Sequence, residues 1–348
     1  MYNSTKINGP INCARLVDKN GLKTIYLFMD YHATLDKQTD CDNLFSKDIN
    51  NYLLDSFIKL NSDGIKFDFF FEFRPTNIIK NVKNRGIYII EIFKLFIKLF
   101  DFDFNENRVL GSKMLPNIRL HYIDIRDYAF MDTENFVNYI QKTKMNDDNL
   151  MNIFVKKMEL VYLIFEKAIS GSLKTNNAKV ITNKVVGDKQ KSFVFMHIIN
   201  KIVNRYNDPN IMNKIRMIIN KYVMDPLKKL IDICNSKTNF DDLNYIKNAH
   251  QNIFAKIMDI YFLRRFLDKK YINNGCNYSG LKHNAFNLYI LVKYFNYTVT
   301  HIYYSSVTLI SLDDIIKNAQ SDESIIKYIY PPSITQCIDM KDFPANLL

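Results

Sequence analysis

The chain has 348 residues, 47% hydrophobic and 14% aromatic, which suffices for a large buried core and suggests two domains or one elaborate one. Five scattered cysteines with no CxxC pair argue against a zinc ribbon or dithiol redox motif, and the odd count fits a reducing compartment. The net charge of +11 permits a nucleic-acid partner, but it comes mostly from lysines spread along helix faces, so a solvated surface is the stronger reading.

Residues 1–10 are polar and lack an apolar run, so no signal peptide is expected and the location is expected to be intracellular. Residues 11–17 and 23–30 read as two strands around Asp18-Lys19-Asn20-Gly21, a hairpin signal. The second strand is nearly all apolar, as for a central strand buried on both faces, and it ends in Asp30-Tyr31-His32. A polar loop over 33–45 leads to a helix over 47–60, with Ile49, Leu53, Phe57 and Leu60 at helical spacing. A further strand spans 65–73 and carries Asp68 and Glu72 on one face. Residues 87–104 are apolar but interrupted by Glu91, Lys94, Lys98 and Asp101, which marks an amphipathic helix and no membrane span. Residues 118–125 form the next strand, followed by Arg126.

From about 133 to 268 the pattern is all helical: 136–140, 150–169, 193–205, 211–222, 227–233 and 243–266, with 175–190 as a polar connector. After Lys270 the α/β pattern returns, with Gly280-Leu281-Lys282-His283, a helix and a strand over 297–303. The expected architecture is therefore α/β, with a mostly parallel central sheet, flanking helices and a large all-helical insertion. Residues 1–132 and 271–348 form the two halves of the α/β domain, and 133–270 form the insertion or lid.

The chemistry-bearing residues lie at strand ends. His32, two residues after Asp30, suits metal ligation or acid/base work, against a bland reading as a loop histidine. Glu72 after an apolar run is costly to bury without a cation or donor, and Arg74 is its bland partner. Asp124 and Arg126 alternate, so they read either as a salt bridge or as an anion-binding arginine with its orienting carboxylate. His283 opens a helix, where free amides and the positive dipole end favour an oxyanion. His121 is given no role.

Met29-Asp30-Tyr31-His32, Glu72, Asp124-Ile125-Arg126 and Gly280-Leu281-Lys282-His283, in this order, resemble the erythromycin esterase/ChaN/TraB/Tiki-like group. The resemblance covers residues 11–130 and 275–304; Met29 stands where that group usually has glycine. It implies a hydrolase-like cleft, metal-dependent in some members, acting on ester, peptide or related bonds; some members bind haem. The composition also resembles that of uncharacterised proteins of large DNA viruses.

The leading expectation is a hydrolase in which His32, Glu72 and His283 are ligands of a divalent metal or acid/base groups. Asp30 and Asp124 support them, and Arg126 holds an anionic group. The alternatives are a catalytically degenerate structural or interaction protein, associated with a virion if viral, and a basic nucleic-acid-binding protein.

Overall fold

In the computed structural model the chain forms two units, Met1–Asp124 with Lys270–Leu348, and Ile125–Lys269. The residues described are 5–33, 37, 39–73, 86–103, 108–126, 148–173, 189–236 and 243–348.

The first unit is an α/β layer. Strands β1 (Lys6–Asn8), β2 (Pro10–Val17) and β3 (Thr24–Asp30) lead through β4 (Lys47–Asp48) into helix α1 (Ile49–Ser62). Strand β5 (Phe67–Phe71), helix α2 (Ile87–Leu99), the short β6 (Phe102–Asp103) and β7 (Arg108–Val109), and β8 (Ile118–Tyr122) complete its first part. The hairpin between β2 and β3 turns at Asp18, whose carboxylate accepts from the amides of Leu22 and Lys23.

The second unit is helical: α3 (Asp148–Ile169), α4 (Lys189–Asn204), α5 (Pro209–Ile219), a π-helical turn (Asn220–Met224), α6 (Asp225–Asn235) and α7 (Leu243–Asp268). Phe154, Met158, Phe195, Ile219, Leu227 and Ile257 are among its buried apolar side chains. Asp208 caps α5, and Pro209 occupies its first turn, where a missing amide costs nothing. The helix expected at 136–140 and nearly all of the connector at 175–190 lie outside the described residues.

The chain then returns to the first unit with β9 (Asn274–Gly280), helix α8 (Leu281–Phe295), β10 (Thr298–Ile302), helices α9 (Leu309–Asn318) and α10 (Glu323–Ile329), and β11 (Cys337–Asp339). The main sheet has the order β10-β2-β3-β9-β5-β8. The neighbours β3, β9, β5 and β8 are parallel; at one side β2 pairs antiparallel with β3, and β10 pairs antiparallel with β2. A smaller sheet sets β1 between β11 and β4.

The sheet is buried on both faces, which explains the apolar runs of β3 and β5. On one face Tyr26, Phe28, Phe67, Phe69, Phe71 and Tyr278 pack with Phe57 of α1 and Phe96 of α2. On the other face α8 packs on β3 and β9, and α9 and α10 pack on α8. The chain thus leaves β3 and β5 toward one face and leaves β9, which lies between them, toward the other. Such a switch point opens a crevice at the carboxyl ends of the strands.

Strand β9 has no counterpart among the strands expected from the sequence. Its sequence NGCNYSG is poor in strand formers, but it lies between β3 and β5 in the centre of the parallel region. One of its polar side chains is tied to α8: Asn277 donates to Asn284 Oδ1 at 3.1 Å, and Asn284 donates to the Phe28 carbonyl at 2.7 Å. Gly275 is required there, because a Cβ would stand 2.8 Å from the Asp68 carbonyl oxygen.

The cysteines also depart from expectation. Cys41 and Cys337 form a disulfide across 296 residues, whereas Cys13, Cys234 and Cys276 are free and buried. The scattered spacing concealed the pair because it closes through tertiary structure.

Candidate functional site

Three neighbouring parallel strands end at one place. Asp30 is the last residue of β3 and lies opposite Gly280, the last of β9, while Glu72 follows β5 directly. Glu72 is buried, and its Oε2 accepts a 2.8 Å hydrogen bond from the Gly280 amide at the N-terminus of α8. His32 Nε2 lies 3.5 Å from Glu72 Oε2, and His283 Nε2 lies 3.4 Å from Glu72 Oε1. One buried carboxylate is therefore faced by two imidazoles that are 251 positions apart in the sequence (283 − 32).

His32 is held in a set orientation. Its Nδ1 bonds Asp30 Oδ2 at 3.0 Å, and its backbone amide donates to Asp30 Oδ1 at 3.1 Å. The residue has φ of 56°, a left-handed conformation uncommon for a side-chain-bearing residue and worth attention at a strand end. Gly86 makes room for it, since a Cβ there would lie 3.1 Å from the His32 Cα. Burial disfavours charge on His32, but the Asp30 carboxylate, by charge and hydrogen bond, outweighs it together with Glu72, and the pKa is pushed up to about 10.

Gly280 permits this approach. A Cβ at position 280 would lie 3.1 Å from His32 Nε2 and 3.6 Å from Glu72 Oε2. Met29, at the position of the expected glycine, is fully buried one step earlier, opposite Ser279. The close approach is thus provided from β9 and does not need a glycine at 29.

His32, Glu72, His283 and Asp30 therefore come together. Asp124 is buried two residues past the end of β8, where the Ile123 amide donates to the Phe71 carbonyl. Strand β8 stops at Tyr122, short of the expected Ile125, so the alternation argument does not apply to Asp124 and Arg126. Arg126 is partly exposed and belongs to the second unit. Arg74 lies outside the described residues.

Two further groups were not found from sequence. Gln336, 1% exposed, donates from Nε2 to Asp30 Oδ1 at 3.2 Å and to the Gly9 carbonyl at 3.0 Å. No local pattern marks it, because 306 residues separate it from Asp30. His121, given no role, bonds through Nε2 to Asp68 Oδ1 at 2.6 Å, and Arg119 Nε donates to the same oxygen at 2.9 Å. Arg119 also stacks on Tyr271 at 4.7 Å. The alternation of Asp68 with Glu72 was legible; its pairing with β8 required the sheet order. This second cluster neutralises a fully buried aspartate within the sheet, which is a structural role.

Two imidazole nitrogens and a carboxylate are a donor set suited to divalent cations of the zinc, iron or manganese kind. Donors bound to one cation at about 2.0–2.2 Å stand roughly 2.8–3.6 Å apart, and the 3.4 and 3.5 Å separations fall in that range. Asp30 behind His32 is the carboxylate that such a ligand commonly carries on its other nitrogen. Among the described residues no three His, Cys, Asp or Glu side chains form a ready-made cation cage, and the two imidazoles face different oxygens of Glu72.

The model of a family of unknown function (DUF5847) matches residues 5–252 and 239–348, and the chain belongs to that family. It is similar to three proteins of Acanthamoeba polyphaga mimivirus. Uncharacterized protein R161 is 34% identical, with 99% of this chain and 98% of that protein covered. Uncharacterized protein R706 is 33% identical, with 99% and 97% covered. Uncharacterized protein R160 is 30% identical, with 99% and 98% covered. No solved structure matches significantly. No helix among the described residues is long and apolar enough to cross a membrane.

Proposed function

We propose that the His32–Glu72–His283 cluster is the centre of a hydrolase of the kind implied by the resemblance to the erythromycin esterase/ChaN/TraB/Tiki-like group, and that its donor set takes a divalent cation. The observation that carries the reading is the convergence of both imidazole Nε2 atoms on one buried carboxylate at a switch point of a parallel sheet. His32, His283 and Glu72 would hold the cation, which when bound would acidify a water and polarise a carbonyl or phosphoryl oxygen. Asp30 fixes the tautomer and direction of His32, so that Nε2 points at the centre. The Gly280 amide fixes Glu72 through Oε2, with Oε1 toward His283.

The test is metal analysis of the purified chain, together with assays on ester, peptide and phosphoester substrates. The expected result is about one divalent cation per chain, lost in His32→Ala and Glu72→Ala, with hydrolysis lost alongside it. A folded wild-type chain that takes up no cation and hydrolyses none of these bonds overturns the reading.

A second reading rests on the same Gly280–Glu72 hydrogen bond: Glu72 caps α8 and the imidazoles offset its charge, as in a scaffold without catalysis. In that case Glu72→Ala lowers stability and changes nothing else.

A further inference from the structure

We propose that the Cys41–Cys337 disulfide and Gln336 form a redox-sensitive clamp on Asp30, which places His32, with Gln336 as a positioning residue. The regulatory consequence rests on the reading of His32 as part of a reaction centre. The clamp itself rests only on contacts within the first unit.

The Asp30 carboxylate joins the clamp to His32. One oxygen takes His32 Nδ1, and the other takes both the His32 amide and Gln336 Nε2. Gln336 is held by its own backbone: its amide donates to the Thr39 carbonyl at 2.8 Å, and its carbonyl accepts from the Gly9 amide at 2.9 Å. The next residue, Cys337, is bonded to Cys41, two residues beyond Thr39. The Cys41 amide is tied in turn to Asn8 Oδ1 at 2.9 Å. The disulfide therefore fastens the two segments around Gln336: residues 39–41, where the Thr39 carbonyl accepts from its amide, and the C-terminal strand β11. Both cysteines are partly exposed, so a thiol can reach the bond.

The chemistry is thiol–disulfide exchange. The thiolate of a dithiol reductant attacks one sulfur, and the other cysteine leaves as a thiolate. The second thiol of the reductant then resolves the mixed disulfide. Two electrons and two protons pass to Cys41 and Cys337, and the reductant ends as its own disulfide. Opened, the tail keeps its hydrogen bonds, the three pairs between β1 and β11 and the burial of Ile338, Met340 and Phe343, but loses the covalent tie next to Gln336, so the hold on Asp30 and His32 loosens.

The test uses the full chain, oxidised or treated with dithiothreitol. Alkylation under denaturing conditions counts the thiols: three when oxidised, and all five cysteines when reduced. Amide hydrogen exchange then reads the His32 amide, which donates to Asp30. The expected result is exchange about tenfold faster after reduction, and the same in oxidised Gln336→Leu, with α5 and α6 unchanged. The Cys41→Ser/Cys337→Ser double variant shows the fast rate with or without reductant. Mn2+ titration supplies a second readout: affinity falls on reduction and in Gln336→Leu, while unfolding of the helical unit is unmoved.

Exchange at His32 that stays unchanged on reduction and in Gln336→Leu overturns the clamp, whether or not the protein binds Mn2+. If the double variant does not fold, reduction and Gln336→Leu decide alone. If exchange responds as expected but the wild-type chain binds no Mn2+ and hydrolyses nothing, the clamp stands and the hydrolase reading fails.

Discussion

Replacing Gly280 by alanine adds one methyl group where β9, His32 and Glu72 meet. The backbone accepts it, because Gly280 has φ of −56° and ψ of 150°, ordinary values for alanine. The new Cβ would lie 3.1 Å from His32 Nε2 and 3.5 Å from its Cδ2. Ordinary contact begins near 3.4 Å, so the ring must retreat by about 0.3–0.4 Å. Folding stability should fall by no more than about 1 kcal/mol, the scale of an alanine at a helix N-cap. A misplacement of about 1 Å can cost roughly a hundredfold in rate, so a shift of this size should cost about threefold to tenfold. The assay pairs Mn2+ affinity with hydrolysis of the best substrate found, at matched thermal stability. A folded Gly280→Ala chain with wild-type affinity and wild-type rate would refute the view that Gly280 makes room for a working His32.

Glu72→Gln should cost about 2 kcal/mol, measured by chemical denaturation, because the Gly280 amide and the two imidazoles lose their charged acceptor. In the cation-free protein His32 has a pKa of about 10, above the unfolded value of 6.5, so its contribution to stability is complete below pH 6.5 and is lost as pH rises through about 10. Asp30→Asn should move that loss toward lower pH; a His32 titration by NMR that is unchanged in the variant would contradict it. Phe57→Ala removes a fully buried ring whose neighbours Phe67, Phe69 and Phe96 have centroids 5.5–5.6 Å away, and should cost about 3–5 kcal/mol on thermal or chemical unfolding. Cys41→Ser should destabilise the first unit by about 2–4 kcal/mol, checked against the reduced wild-type chain.

How legible the fold was depended on apolar patterning. Strands β3 and β5 could be read because both of their faces are buried, and α1 and α2 because their apolar residues recur at helical spacing. Strand β9 could not be read, since its buried positions carry Gly275, Asn277, Ser279 and Gly280 in place of an apolar run, and only the sheet order shows why they are buried. That omission mattered, because β9 brings Gly280 and His283 to His32 and Glu72. The four residues were each visible at a segment end, but their convergence depends on the β3-β9-β5 order. Gln336 and the Cys41–Cys337 bond were hidden for the same reason: both are made by chain segments about three hundred residues apart.

The most direct measurement is a crystal structure of the full chain grown with Mn2+ or Zn2+, with data collected at the absorption edge of the metal. The account predicts an anomalous peak within about 2.0–2.3 Å of His32 Nε2, His283 Nε2 and a Glu72 oxygen. A metal-saturated crystal with no peak at these side chains, and Glu72 still bonded to the Gly280 amide between the two imidazoles, would contradict it.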